Sequence, residues 1–191
     1  ACFTKEQFAP IHTCVREEDR TSWLSKLLIL NAKHNRVDIV GLLLQSGVCR
    51  EAVHYSLIRA AEYGHEAVTK VLLENGADVT REPPSSTFWM VDEADLDRSG
   101  VTALMYAAIG GSEAVTKLLL DHGADVAAAD IKGRTALIYA ALGGHEAVTE
   151  LLVASGADVA AAGNDGVTAL TVATQFGHVE VAKLLVERGA S

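Results

Sequence analysis

Apolar positions along this chain fall into two alternating runs, one short and dense, one longer and spaced. In the longer run, Val148, Leu151 and Leu152 recur three and four residues apart, the interval of one helix face, and Glu146, Thr149 and Glu150 are expected on the opposite, solvent side. Gly156 is the predicted stop. The shorter run, Thr135 to Leu142, is rich in Ala and Leu and predicts a brief helix with Thr135 as its N-cap and Gly143 and Gly144 ending it. Ahead of it, Asp130-Ile131-Lys132-Gly133 carries turn chemistry: the Asp side chain can bond the backbone ahead, and Gly tolerates positive φ. The unit reads as turn, short helix, return loop, longer helix.

That unit repeats. Gly111, Gly144 and Gly177 open matching segments at a fixed period, 144 − 111 = 33 and 177 − 144 = 33, which marks a stacked array rather than one globular core. The register extends back to Gly64 and, more faintly, to Asn35. There the intervals are irregular: 111 − 64 = 47 is 14 more than the period, and 64 − 35 = 29 is 4 fewer. Something has been inserted once and trimmed once. Helices below about 12 to 15 residues are marginal alone, so each pair must lean on the copies before and after it.

With the units aligned, the pattern Asp-x-x-Gly-x-Thr-Ala-Leu-x-x-Ala-Ala-x-x-Gly-His-x-x-Val-x-x-Leu-Leu-x-x-x-Gly-Ala-Asp-Val resembles the ankyrin repeat. The resemblance implies an all-α solenoid of about five stacked helix-turn-helix units with turn fingers, one of them extended. Units are expected at about 22–49, 50–80, 97–129, 130–162 and 163–191, after an N-terminal segment 1–21 and around a long finger insertion at 81–96. The chain departs from the family at Ala103, Ala136 and Ala169, where Pro is frequent, and at Ala127 and Ala160, where many members carry Asn. The Asn hydroxylation known for some ankyrin proteins has no substrate at those two positions.

The resemblance further implies binding of a protein or peptide partner through a concave groove and the turn fingers. The family's variable groove positions map onto Glu62 and Tyr63; Arg98, Ser99, Val101 and Ile109; Ile131, Lys132, Arg134 and Leu142; and Asn164, Asp165, Val167 and Gln175, while Tyr63 and Phe176, just before their Gly residues, suit either structural packing or partner contact at the groove rim. An alternative reading is an adaptor or regulatory segment of a larger enzyme complex, for instance substrate recognition for a modifying enzyme. A third is an oligomer formed through exposed end repeats, although a monomer is the main expectation. Tyr106 and Tyr139, one period apart, fall where the family places core residues, so packing explains them.

The insertion, Arg81 to Asp97, opens with turn and extended-chain residues and continues as an apolar cluster ahead of an acidic stretch. Phe88, Trp89 and Met90 are side chains of the kind that anchor interfaces. They equally suit folding back onto the stack, with Asp92, Glu93 and Asp95 as a solvated rim, or disorder, since loops of this length are commonly functional or disordered.

Trp23, Leu24, Leu27, Leu28 and Leu30 predict an N-terminal helix with one apolar side, capped by Thr21 or Ser22, that would cover the first repeat. At the other end Gln175, Lys183, Glu187 and Arg188 partly polarise the last repeat. Either it serves as its own cap or further chain follows.

Composition narrows the rest. Among 191 residues, 49% are apolar, but no apolar run reaches the roughly 18 residues that span a bilayer, and no signal pattern opens the chain. No membrane insertion is expected, and a cytoplasmic or nuclear setting is. Cys2, Cys14 and Cys49 make an odd count that fits a reducing compartment; a Cys2–Cys14 disulfide in a secreted protein is the alternative. The net charge of −9, spread along the chain, disfavours nucleic acid as a direct ligand. Neither a phosphate loop nor a nucleophile elbow nor a His-Glu-x-x-His stretch is present, so neither catalysis nor a cofactor is expected. His65, His145 and His178 recur one per repeat, about 10 Å apart by helix packing distance, and so cannot converge on one metal ion. They are read as hydrogen-bonding residues of each unit. Cys2, His12 and Cys14 contain zinc-ligand types at a spacing that fits no familiar finger.

Overall fold

A computed structural model of the chain describes residues 17–80 and 100–190, with side chains from Ser22 onward. The insertion with Phe88, Trp89 and Met90, the turn residues Arg98 and Ser99, and the Cys2, His12 and Cys14 group lie outside the described residues.

Ten helices form five pairs among these residues: α1 (Glu17–Lys33) with α2 (Val37–Leu44), α3 (Arg50–Glu62) with α4 (Glu66–Glu74), α5 (Ala103–Gly110) with α6 (Glu113–Asp121), α7 (Ala136–Gly143) with α8 (Glu146–Ala154), and α9 (Ala169–Gln175) with α10 (Val179–Glu187). Odd-numbered helices pack on one another in order, even-numbered helices do likewise, and each odd helix packs on the even one that follows. The main contacts therefore join neighbours only, which is the definition of a solenoid. Extended structure among the described residues is limited to two isolated antiparallel bridges, Ala129 with Thr135 and Ala162 with Thr168, each closing a finger.

Local chemistry sets the helix ends. Thr102 and Thr168 cap α5 and α9, their hydroxyls accepting from the Met105 and Thr171 backbone N–H groups. Thr135 holds the N-cap backbone conformation for α7, but its hydroxyl makes no cap bond. After α8, Gly156 takes φ 92°, and the paired bonds Gly156 N–H to Val153 O and Ala157 N–H to Leu152 O (both 3.0 Å) form a Schellman closure.

The spine is a double row of leucines. Leu28, Leu57, Leu104 and Leu137 come from the inner helices and Leu43, Leu72, Leu119, Leu152 and Leu185 from the outer ones, all buried. Within α8, Val148 and Leu152 are buried and Leu151 half-buried. Thr149 departs from the sequence expectation: it is fully buried rather than solvent-facing. Its hydroxyl donates to the His145 carbonyl 2.8 Å away, leaving the methyl free to pack, and Thr69 and Thr116 repeat the arrangement.

The first pair also differs from expectation. α1 starts at Glu17, so Thr21 and Ser22 lie inside the helix rather than at its N-cap. Its apolar residues do not share one side: Leu24 and Leu28 are buried, whereas Trp23 and Leu30 are 42% and 43% exposed. At 100° per residue, positions 23 and 30 lie close together and more than a quarter-turn from positions 24 and 28.

Candidate functional site

The fingers are built from one carboxylate outward. Asp130 Oδ1 accepts from the Lys132 and Arg134 N–H groups (both 2.8 Å), while the Tyr139 hydroxyl donates to Oδ2 at 2.6 Å. Tyr139 thus ties the turn to α7, a role beyond packing, whereas Tyr106 is buried. With the turn pinned, Ile131 is pushed to the tip, 59% exposed.

Successive fingers are then stitched together. Asn164 donates from its side chain to the Ile131 carbonyl (3.0 Å) and from its backbone to the Lys132 carbonyl (2.8 Å). The Arg134 guanidinium meets Asp165 Oδ2 at 3.3 Å. The Val167 N–H bonds Asp165 Oδ1 and, with Arg134 beside it, holds the Asp165 carboxyl below its ordinary 3.8. A depressed carboxyl contributes stability that is full above the ordinary value and lost as pH falls through the folded-state value. Asp165 is solvent-exposed, so the effect is small. In an acid titration of unfolding, Asp165→Asn should flatten the stability loss below pH 3.8 slightly and leave neutral-pH stability nearly unchanged.

Opposite the fingers, about 12 Å away along an eight-residue inner helix, the helix C-termini make a rim. Glu62, Ile109, Leu142 and Gln175 occupy one register position on it, and Tyr63, Gly110, Gly143 and Phe176 the next. Leu142 and Phe176 are 38% and 57% exposed and Ile109 is half-buried. Phe176 stacks on His178 (centroids 6.5 Å apart, 14° between planes), and Tyr63 stacks on His65 with the Lys33 ammonium 5.5 Å from its ring. Glu62 is engaged by Arg59 at 2.7 Å.

The rim is held by histidine latches. His65 Nε2 donates to the Lys33 carbonyl (2.8 Å), His145 Nε2 to Ile109 (3.0 Å) and His178 Nε2 to Leu142 (3.1 Å), each reaching back one repeat. A carbonyl only accepts, so Nε2 carries the proton. Ser112 stands at the equivalent place, as the N-cap of α6, its hydroxyl accepting from the Val115 N–H. There the junction closes without a ring, Gly110 lying against the Glu62 carbonyl. Removing one latch bond costs about 0.5–1.5 kcal/mol net. His145→Ala should therefore lower unfolding free energy by about 1 kcal/mol in urea titration.

Of the groove residues expected from sequence, the structure gathers Ile131, Lys132, Arg134, Asn164 and Asp165 at two adjacent fingers and Ile109, Leu142, Gln175 and Phe176 along the rim, with Tyr63 further along it. Val101 is corrected: it is 1% exposed and belongs to the core. Arg134 and Asn164 are partly spent on the frame itself. Sequence reasoning missed the finger stitching, for which an Asn at a turn tip was the available signal, and the exposed glycines Gly110 and Gly143 on the rim.

Among the described residues no helix is long and apolar enough to cross a membrane. Two family models match the chain, one described as ankyrin repeats (3 copies) over residues 127–191 and one as ankyrin repeats (many copies) over residues 57–120. No curated protein matches it.

Proposed function

This chain belongs to the ankyrin-repeat family, whose repeats are generally protein–protein interaction modules, and on that premise we propose that it binds a protein or peptide segment between its fingers and its helix rim. The observation that carries the reading is the set of large apolar side chains left in water on that face: Ile131, Leu142 and Phe176, with Tyr63 further along the rim. Each is held by a neighbour rather than by burial, through the Asp130 turn, the latch at Leu142 O, and the stacked histidines.

The mechanism is presentation on a fixed frame. Fingers stitched by Asn164 and a rim latched by histidines lose little freedom on association, so the ordering cost is low. Specificity comes from which side chain stands at each register position: apolar at Leu142 and Phe176, a paired ion at Arg134 and Asp165. The occupant this favours is an apolar segment about 12 Å across that leaves the finger ion pair at its edge.

A peptide-display selection against the intact chain, counter-screened with Leu142→Ser and Phe176→Ser, tests the reading. Anchors of this kind are worth more than about 1 kcal/mol each, so selected peptides should bind either variant roughly ten-fold more weakly, with helicity unchanged. Peptides that bind both variants as tightly as the parent would overturn it.

A further inference from the structure

The apolar rim at Tyr63, Ile109 and Leu142 runs beside a second row. Three or four residues on, across the return loop, Glu66, Glu113 and Glu146 open α4, α6 and α8. All three glutamates are exposed, and none of their carboxylates has an ion pair or hydrogen bond among the described residues. A carboxylate in the first turn suits the helix dipole, which explains each one singly. Lys70 and Lys117 stand one turn further along α4 and α6, where a glutamate can pair with a lysine, yet no ion pair forms. In α8 that position is Glu150, which meets Arg188 instead. At the Tyr63 end, the Lys33 ammonium over the ring offsets part of the negative charge. Each of these pairs has a described pair before and after it, so the exposure of both rows belongs to the stacked state.

The two rows share the period of the stack, about 10 Å per repeat. An occupant that satisfies both needs apolar and positive groups at that spacing, side by side on one face. An α-helix meets the condition: seven residues rise about 10.5 Å and return to the same side, and a diameter of about 10–12 Å fits the distance of about 12 Å from fingers to rim. In an extended strand, three residues cover about 10 Å but alternate between faces, so the rows fall out of step.

We propose that the segment bound here is a basic amphipathic helix. Its Lys or Arg residues, one in seven, reach over the return loops to Glu66, Glu113 and Glu146, while apolar residues beside them rest on Tyr63, Ile109 and Leu142. A Lys or Arg stem is apolar enough to lie across the His145 ring, itself against Gly143, with the charge on the far side. Three repeats are two steps, so about 15 residues of helix suffice. The proposal rests on the rim being a binding surface and adds the partner's charge and conformation.

Display of a helical peptide library against the intact chain tests it, with two triple variants. Glu66→Gln, Glu113→Gln and Glu146→Gln together remove the row. Glu74→Gln, Asp121→Asn and Glu187→Gln together remove the same charge from the opposite ends of outer helices. All six side chains are exposed, and circular dichroism verifies folding. Selected peptides should carry Lys or Arg at seven-residue spacing. With three exposed pairs lost at once, they should bind the rim variant roughly ten-fold more weakly, and the control within about two-fold of the parent. Raising salt from about 0.05 to 0.5 M should weaken binding to the parent more than to the rim variant. Peptides without basic residues, or peptides that bind the rim variant as tightly as the parent, overturn the proposal; the groove reading survives them where Leu142→Ser still weakens binding. Equal losses in the two triple variants assign the effect to net charge and overturn it as well. Peptides indifferent to Leu142→Ser, or an empty selection, overturn the groove reading and this proposal together.

Discussion

Replacing Gly110 by alanine should lower the unfolding free energy by about 3 kcal/mol and the melting temperature by roughly 6–12 °C, read by circular dichroism. The residue itself is solvent-exposed, and its burial gives no hint of the effect. The cause is across the junction: a Cβ there would overlap the Glu62 carbonyl oxygen and sit 3.1 Å from the carbonyl carbon. Both obstacles are backbone, at the end of α3, and cannot rotate aside. Relief requires α5 to move off α3, which loosens Leu104 and Ala107 against the Leu57 and Ile58 layer. Gly143→Ala should cost less. Its new methyl would meet the His145 ring, a side chain that can shift at the expense of its bond to the Ile109 carbonyl. Gly41→Ala, in α2 with nothing within 4 Å of the new atom, should have the opposite sign and stabilise by about 0.5–1 kcal/mol. Equal effects at Gly110 and Gly41 would refute the junction argument.

This asymmetry marks what the sequence carries and what it does not. The 33-residue spacing of Gly111, Gly144 and Gly177 is enough to place helix pairs and their order, since period and turn chemistry are local properties. The histidine bonds also follow from register, because one polar ring per repeat at a helix start has the neighbouring helix end as its nearest acceptor. Thr149 was opaque for a different reason: helical spacing finds the apolar stripe, but a threonine that bonds its own helix backbone counts as apolar only once the next repeat covers it. Val101 failed likewise. Family position places it at a finger, and only its 1% exposure shows that its side chain is core. The exposure of Ile131 at a finger and of Leu142 and Phe176 on the rim is readable residue by residue. The stitching of fingers by Asn164 is not, because it joins two loops whose approach depends on the rotation between repeats.

Leu137→Ala and Leu170→Ala, the same truncation at one register position in successive repeats, should differ by a factor of two or more in cost. Leu137 is 1% exposed between α5 and α9, and its loss leaves a cavity walled on both sides, worth about 3–4 kcal/mol. Leu170 lines an open hollow on α9 and α10, where solvent already reaches it and no cavity closes over the missing atoms, so about 1–2 kcal/mol is expected. The larger effect should also be directional. Each pair contacts mainly its neighbours, so weakening the α7–α9 layer lowers the free energy needed to open α9 and α10 while α1 to α4 keep theirs. Native-state hydrogen exchange reads this helix by helix: in Leu137→Ala, protection in α9 and α10 should fall by more than in α3 and α4. A uniform fall across all ten helices would show that the solenoid opens as one unit and that its stability does not divide along the repeats.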